Sequence, residues 1–212
     1  MNIAIFGASG ATGRLLTEKC LAAGHTVSAL IRTPSTFPYA PKVRVVQGDV
    51  FSPVAVAETL AGTDAVFSAL GARGLGEDHT LERGIPLIVQ AMIDAHVSRI
   101  IVLGSAGALD SAMARQPLWQ KWLVENIVYK TILKWPVVAQ RYQYAALAGS
   151  PLDWTMAMPP MLTNGRGKGN VRVDPDALPP GANRIARADV ADFLFAQLTS
   201  NQWSRKAVYI AW

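Results

Sequence analysis

The chain has 212 residues, half of them apolar, and one cysteine, Cys20. That is enough for one substantial core. No run reaches the roughly 18 apolar residues of a membrane-spanning helix, a lone cysteine forms no internal disulfide, and no low-complexity tract or repeat occurs. The net charge of +5 is uneven: residues 1–110 carry 8 basic and 9 acidic side chains, residues 111–172 carry 8 and 2, and residues 173–212 carry 4 of each. The middle excess, including Arg166, Lys168 and Arg172, could draw in a polyanionic cofactor or substrate. No nucleic-acid motif accompanies it, so nucleic acid is not an expected partner. The first residues lack a basic n-region and a cleavage site, and the expected location is cytoplasmic.

Ile3-Ala4-Ile5-Phe6 opens the chain as an apolar strand and runs into Gly7-Ala8-Ser9-Gly10-Ala11-Thr12-Gly13, after which a helical pattern starts. A helix start leaves backbone N–H groups unpaired and carries partial positive charge, so an anion suits this turn. Gly7 would permit the tight turn, Gly10 the close approach of phosphate oxygens, and Gly13 the packing of helix on strand. A plain strand–helix turn has the same glycines; the position after the first strand favours binding. The helix spans residues 11–24, with Leu15, Leu16 and Cys20 apolar and Gly24 as its stop.

Residues 26–31 read as the second strand, and Arg32 follows. About 20 residues past the glycines an NAD-preferring fold carries an acid for the ribose 2′-OH. No Asp or Glu occurs between Glu18 and Asp49. A guanidinium in that place suits a 2′-phosphate, which points to NADP(H), although a solvated arginine at a strand end would look the same.

Residues 43–46 form a third strand stopped by Gly48-Asp49. Asp49 either accepts from an adenine amino group, with Val50 beside it, or caps the turn. A helix near 54–60, a strand over 65–70 closed by Gly71, a helix over 81–95 and a strand over 99–103 follow. The last of these ends in Gly104-Ser105-Ala106-Gly107, and a mostly helical region runs to about 147. A strand over 153–158 stops at Pro159-Pro160, a helix over 189–198 starts with Asp189 as a suitable cap, and residues 207–211 form a final strand. This alternation predicts an α/β fold: a Rossmann-type, doubly wound parallel sheet in three α/β/α layers, one domain over residues 1–212. Ligands in such sheets bind beyond the carboxyl ends of the strands, which selects residues 7–13, Arg32, Asp49-Val50, residues 70–73 and Ser105-Ala106.

Residues 117–135 read PLWQKWLVENIVYKTILKW, with three tryptophans and three lysines. Apolar residues spread nearly all round the helical wheel, as in a helix buried in a core or an oligomer contact. A lid over a flat substrate and a basic aromatic membrane-surface segment are the other readings. Residues 108–148 are therefore expected to form a helical lid or interface, and a homodimer stays open. His25, His79 and His96 lack neighbours at metal-ligand spacing, and no metal site is expected.

The segments IAIFGASGATGR, LIR, QGDV, TDAVFSALGAR, RIIVLGSAG, SPLDWTMAMPP and RADVADFL together resemble the atypical short-chain dehydrogenase/reductases. The likeness is greatest to the NAD(P)H-binding group that includes biliverdin reductase B (flavin reductase), and it spans nearly the whole chain. It implies that Gly7, Gly10, Thr12 and Gly13 hold the pyrophosphate, with Ser9 and Ala11 between them, and Arg32 the 2′-phosphate. It further implies that Leu70, Gly71 and Arg73 line the cofactor ribose, and that Ser105, Pro159, Pro160 and Met161 flank the nicotinamide. Met161 stands where the reductase relatives have a histidine, and Thr36 falls in the region of a second family arginine. The Tyr-x-x-x-Lys pair of the wider superfamily is absent: Val43, Leu133, Ala146 and Ala148 lie four positions after Tyr39, Tyr129, Tyr142 and Tyr144.

Two functions fit. One is hydride transfer from NADPH to a small conjugated acceptor (flavin, quinone or tetrapyrrole-like) that takes its proton from solvent, with Ser105 orienting it and Arg73 or Tyr142 steadying negative charge. The other is a non-catalytic NADP(H) sensor acting on a protein partner. Ser105 is equally at home as a plain turn residue after a strand.

Overall fold

A computed structural model describes residues 1–72 and 74–212; Arg73 lies outside the described residues. The elements in chain order are β1 (Asn2–Phe6), α1 (Ala11–Ala22), β2 (Thr26–Ile31), β3 (Arg44–Gln47), α2 (Pro53–Leu60), β4 (Ala65–Ser68), α3 (Thr80–Asp94) and β5 (Arg99–Leu103). There follow α4 (Leu118–Leu123), a π-helical stretch (Val124–Ile132), α5 (Lys134–Ala148), β6 (Asp153–Met158), β7 (Met161–Thr163), β8 (Arg172–Asp174), β9 (Arg184–Ala186), α6 (Arg187–Ala196) and β10 (Lys206–Ala211).

The main sheet runs β3-β2-β1-β4-β5-β6-β10-β8. All its pairings are parallel except β10 with β8. Strand order reverses between β1 and β4, where Phe6 lies opposite Leu30 on one side and Ser68 on the other. Side chains alternate across the pleat, so β1 feeds two cores at once. Ile3 and Ile5 join Leu16, Cys20 and Leu194 beneath α1 and α6. Ala4 and Phe6 join Leu60, Ile85, Ile88 and Leu147 beneath α2, α3 and α5. A strand buried on both faces reads as an unbroken apolar run, which is why β1, β4 and β5 are legible in the sequence. The Rossmann-type layering is the expected one.

Local chemistry sets the helix ends. Past α1, Gly24 takes φ +74, and the N–H groups of Gly24 and His25 return to the carbonyls of Leu21 and Cys20, closing a left-handed cap. The helix stops two residues before the expected 24. Ser52 accepts from the Ala55 N–H at 3.3 Å and, with Pro53 behind it, starts α2. Cys20 is fully buried, and burial pushes its thiol up to about 12, so it serves as a small apolar residue.

The fold corrects several sequence expectations. β4 ends at Ser68 rather than at residue 70. Strands β7, β8 and β9 have only three residues each, too short to show a period. The last helix starts at Arg187, and its N-cap is Ala186. Asp189 does not cap it: the buried carboxylate accepts from the N–H of Lys168 at 2.8 Å, the N–H of Gly169 at 3.0 Å and the Trp212 indole at 2.6 Å. Residues 117–136 contain no buried residue, so this segment is not part of the core. Leu118, Trp119 and Trp122 are 84%, 70% and 60% exposed. Apolar residues fall all round because one side packs partly (Val124 against the core, Tyr129 against Gly107) while the other faces outward.

Candidate nucleotide and acceptor site

The turn after β1 distributes three demands over three glycines. Gly7 has φ +81, and a Cβ there would lie 2.6 Å from the Ala69 carbonyl. A Cβ at Gly13 would lie 2.1 Å from the Gly7 carbonyl oxygen, so α1 can meet the turn only with glycine there. Gly10 is different. Its backbone is extended, with φ −71 and ψ 164, and a Cβ would meet only the Gly7 oxygen, at 3.3 Å. Packing therefore constrains position 10 far less than positions 7 and 13. The Gly10 N–H bonds to the Gly7 carbonyl at 3.0 Å, and Arg14 Nε donates to the Ser9 carbonyl at 2.9 Å, fixing the turn. Ala11, Thr12 and Gly13 form the first turn of α1, whose N–H groups have no intrahelical acceptor.

A cavity of about 170 Å³ opens at this turn, at the point where strand order reverses. It joins Gly7, Ser9 and Gly10 with Arg32, Asp49, Val50, Leu70 and Gly71, the strand-end residues singled out above. Arg32 is exposed just past β2, with no ion-pair partner among the described residues. Asp49 performs the turn role, its Oδ1 accepting from the Phe51 N–H at 3.2 Å, while also lining the cavity. Val50 is held against α3, where a Cβ on Gly84 would come within 2.9 Å of its methyls. The sequence reading missed Phe6, Leu30, Gly48, Ala69 and Thr80 on the same walls. Phe6 and Leu30 were within reach of the strand-end rule. Thr80, the first residue of α3, carries no sequence mark of its position and is placed by Asp78, whose Oδ1 accepts its N–H at 2.7 Å.

A second cluster forms beyond β5 and β6. The Gly104 N–H donates to the Ala157 carbonyl at 2.7 Å, and the Ala106 N–H to the Pro159 carbonyl at 2.9 Å. These bonds bring Ser105, Ala106 and Pro159 together. Ser105 is half-buried, and its hydroxyl has no partner among the described residues. Pro160 is half-buried, and Met161 is 63% exposed at the start of β7. Two α5 residues missed in the sequence support this edge. Gln143 is buried and donates to the Leu103 carbonyl at 3.2 Å, and Val137 packs on Gly107. Tyr129 rests on Gly107 as well, and burial, with Tyr209 and Glu125 nearby, pushes its phenol up to about 12, so it stays protonated at neutral pH.

Tyr142 does not join Ser105. It is 48% exposed on a small cavity shared with Glu77, Asp78, His79 and Glu82. Carboxylates are poor company for a group meant to steady negative charge. His79 in that cavity bonds Glu82 at 2.7 Å, and this bond raises its pKa. Arg73, the other residue expected to steady charge, lies outside the described residues. Among the described residues, no group of His, Cys, Asp and Glu could hold a metal ion. No helix of the described residues is long and apolar enough to cross a membrane.

A family model described as NAD(P)H-binding matches residues 7–201. The chain spans about half the length of the first curated relative it matches, YwnB of Bacillus subtilis, with 33% identity over 109 residues covering 51% of this chain and 49% of YwnB. A candidate exported protein from Burkholderia pseudomallei shares 28% identity and superposes over 100% of both chains with a TM-score of 0.79. ChuY, an anaerobilin reductase of Escherichia coli O157:H7, superposes with a TM-score of 0.84 at 20% identity, over 100% of this chain and 97% of its own. A short-chain dehydrogenase/reductase from Veillonella parvula, solved with NADP, gives 0.82 at 18% identity, over 100% and 94%. At such identity these last two likenesses show the fold.

Proposed function

Because the chain belongs to the NAD(P)H-binding family, we propose that this oxidoreductase scaffold uses NADPH to reduce a small conjugated acceptor in the cytoplasm. One observation carries the reading: the glycine turn, the first turn of α1 and Arg32 share one cavity at the reversal of strand order. The residues fit a dinucleotide. At Gly10 a side chain would press on the Gly7 oxygen alone, and its absence leaves the backbone bare for the close approach that a pyrophosphate requires. The first-turn N–H groups of Ala11, Thr12 and Gly13 would bind its oxygens. Arg32 would pair with the 2′-phosphate, Asp49 and Val50 would flank the adenine, and Leu70 and Gly71 the ribose.

When bound, NADPH supplies a hydride, and the acceptor gains two electrons with its further proton drawn from solvent. Ser105, Ala106, Pro159, Pro160 and Met161 would orient the nicotinamide and the acceptor against each other. The unpartnered Ser105 hydroxyl is the group available for a carboxamide or an acceptor oxygen. Flavins, quinones and tetrapyrrole-like molecules need no Tyr/Lys proton donor, which suits the missing pair. ChuY, an anaerobilin reductase by name, shares the fold.

Calorimetry with NADPH and NADH on wild type and Arg32→Ala tests the coenzyme. Wild type should prefer NADPH, and the variant should lose NADPH affinity by about tenfold or more while keeping its NADH affinity. Equal affinity of wild type for both nucleotides would refute the assignment. The absent Tyr/Lys pair also favours a second reading, a redox sensor that binds NADP(H) and acts through a protein contact. Single-turnover oxidation of NADPH with menadione or FMN separates them, since a sensor binds the nucleotide without oxidising it.

A further inference from the structure

The largest cavity described lies away from the nucleotide turn. About 710 Å³ in volume, it sits between α5, the π-helical stretch and the segment before α4. Its size falls within the range of small-molecule sites. Four cations reach it: Lys121, Lys130, Lys134 and Arg141. Two carboxylates do as well, Asp110 and Glu125. Arg141 is ion-paired with Asp110, and Lys130 donates to Asn126 Oδ1 at 2.8 Å. Lys121 and Lys134 have no carboxylate within salt-bridge distance among the described residues, although Lys134 also lies 4.9 Å from the Trp135 ring centre. The cavity therefore keeps a positive excess. Its apolar wall consists of Tyr129, Val137 and Val138.

The segment that builds this cavity exposes large apolar residues alongside its charged ones. Leu118, Trp119, Trp122 and Ile132 face solvent, while Lys121, Lys130 and Lys134 line the cavity, Lys130 and Lys134 remaining exposed there. The π-helical stretch sustains the row that lines the cavity, since i→i+5 bonding widens the turn and lets residues four and five apart share a side. Such stretches are rare and occur often at functional sites. The wall also touches the machinery described above, since Tyr129 and Val137 pack on Gly107, two residues from Ser105.

We propose that this cavity binds an amphipathic organic anion, an apolar ring system bearing a sulfonate or carboxylate, with Lys121 and Lys134 holding the anionic group and Tyr129, Val137 and Val138 the ring. Lys134 is exposed and Lys121 half-buried, so a ring seated on the apolar wall would exclude water from the anion and strengthen its pairing with both. Tyr129, protonated at neutral pH, can donate to the same group. The inference stands on this geometry alone. If the nucleotide reading also holds, the cavity takes the acidic end of the acceptor beside the loop that carries Ser105.

The test is calorimetric titration of the nucleotide-free full chain with naphthalene-2-sulfonate, and with neutral 2-naphthalenemethanol as the uncharged counterpart. The sulfonate should bind one per chain, and the neutral compound about tenfold or more weakly. Lys121→Gln/Lys134→Gln should weaken sulfonate binding by about tenfold or more while leaving NADPH affinity and the far-ultraviolet circular dichroism unchanged. Val138→Trp, which fills the cavity, should abolish it. Three results would overturn the proposal: sulfonate affinity that survives the double lysine substitution, competitive displacement by NADPH, or loss in Trp119→Ser/Trp122→Ser with retention in the lysine variant. Failure of NADPH to bind would sink the coenzyme reading and leave this one standing.

Discussion

Gly10 and Gly13 are alike in sequence and opposite in consequence. An added methyl at 13 collides with the Gly7 carbonyl at 2.1 Å, a backbone atom that cannot rotate away. Gly13→Ala should therefore cost about 3 kcal/mol of stability, read from urea unfolding. Gly10→Val sets its Cβ 3.3 Å from the Gly7 oxygen, a contact that asks the turn to give only slightly, in a backbone conformation open to any residue. It should leave the unfolding midpoint nearly unchanged and abolish nucleotide binding in calorimetry. Retained binding in Gly10→Val would make the turn structural only. The motif gave both positions the same letter; only the distances to Gly7 and Ala8 separate a packing glycine from one that keeps space open.

Among the elements, α4 and its π-helical continuation carry the clearest stability forecast. If their tryptophans were core residues, truncation would cost about 3–5 kcal/mol. At 70% and 60% exposure, Trp119→Ser and Trp122→Ser should each change stability by less than about 0.5 kcal/mol. Thermal unfolding checks this. The wheel misled because a helical projection assumes one regular pitch and one buried side, and this segment has neither. α6 gives the opposite lesson. Asp189 looked like a cap, yet it clamps residues 168 and 169 and the end of β10 to the helix. Burial works to raise its pKa, but the Lys168 and Gly169 N–H donors, the Trp212 indole and the Lys168 charge outweigh burial and hold it below the ordinary value. A depressed carboxylate stabilises fully above the usual unfolded value near 4 and loses that contribution as pH falls through the lower folded value. Asp189→Asn should be less stable at pH 7 and show a shallower loss of stability on acidification, measured by urea unfolding across pH.

At the scale of the molecule, the amino ends of the central strands, opposite the glycine-turn cavity, are tied by one buried cation. Arg99, at the start of β5, donates to the Asp153 carboxylate at 3.2 Å and to the Gln197 carbonyl at 2.7 Å, joining β5, β6 and the end of α6. Desolvation lowers its pKa, and Asp153 opposes that fall. Arg99→Ala strands the Gln197 carbonyl, while the Asp153 carboxylate keeps the Ser204 hydroxyl at 2.6 Å, and should cost about 2 kcal/mol without altering NADPH affinity. What the sequence determined by itself was the order of the seven strands longer than three residues and of the helical regions between them, the glycine turn and the arginine after β2. Each of these rests on local chemistry, on apolar runs, glycine conformations or the reach of a single side chain. Which residues share a wall was decided only when distant segments met: Thr80 and Gly10 on one cavity, Ser105 beside Pro159, Tyr142 among carboxylates, and Lys121 and Lys134 on one cavity with Arg141. Those neighbours are hundreds of atoms apart along the chain, and their meeting is set by the packing of whole layers, which no window of sequence contains.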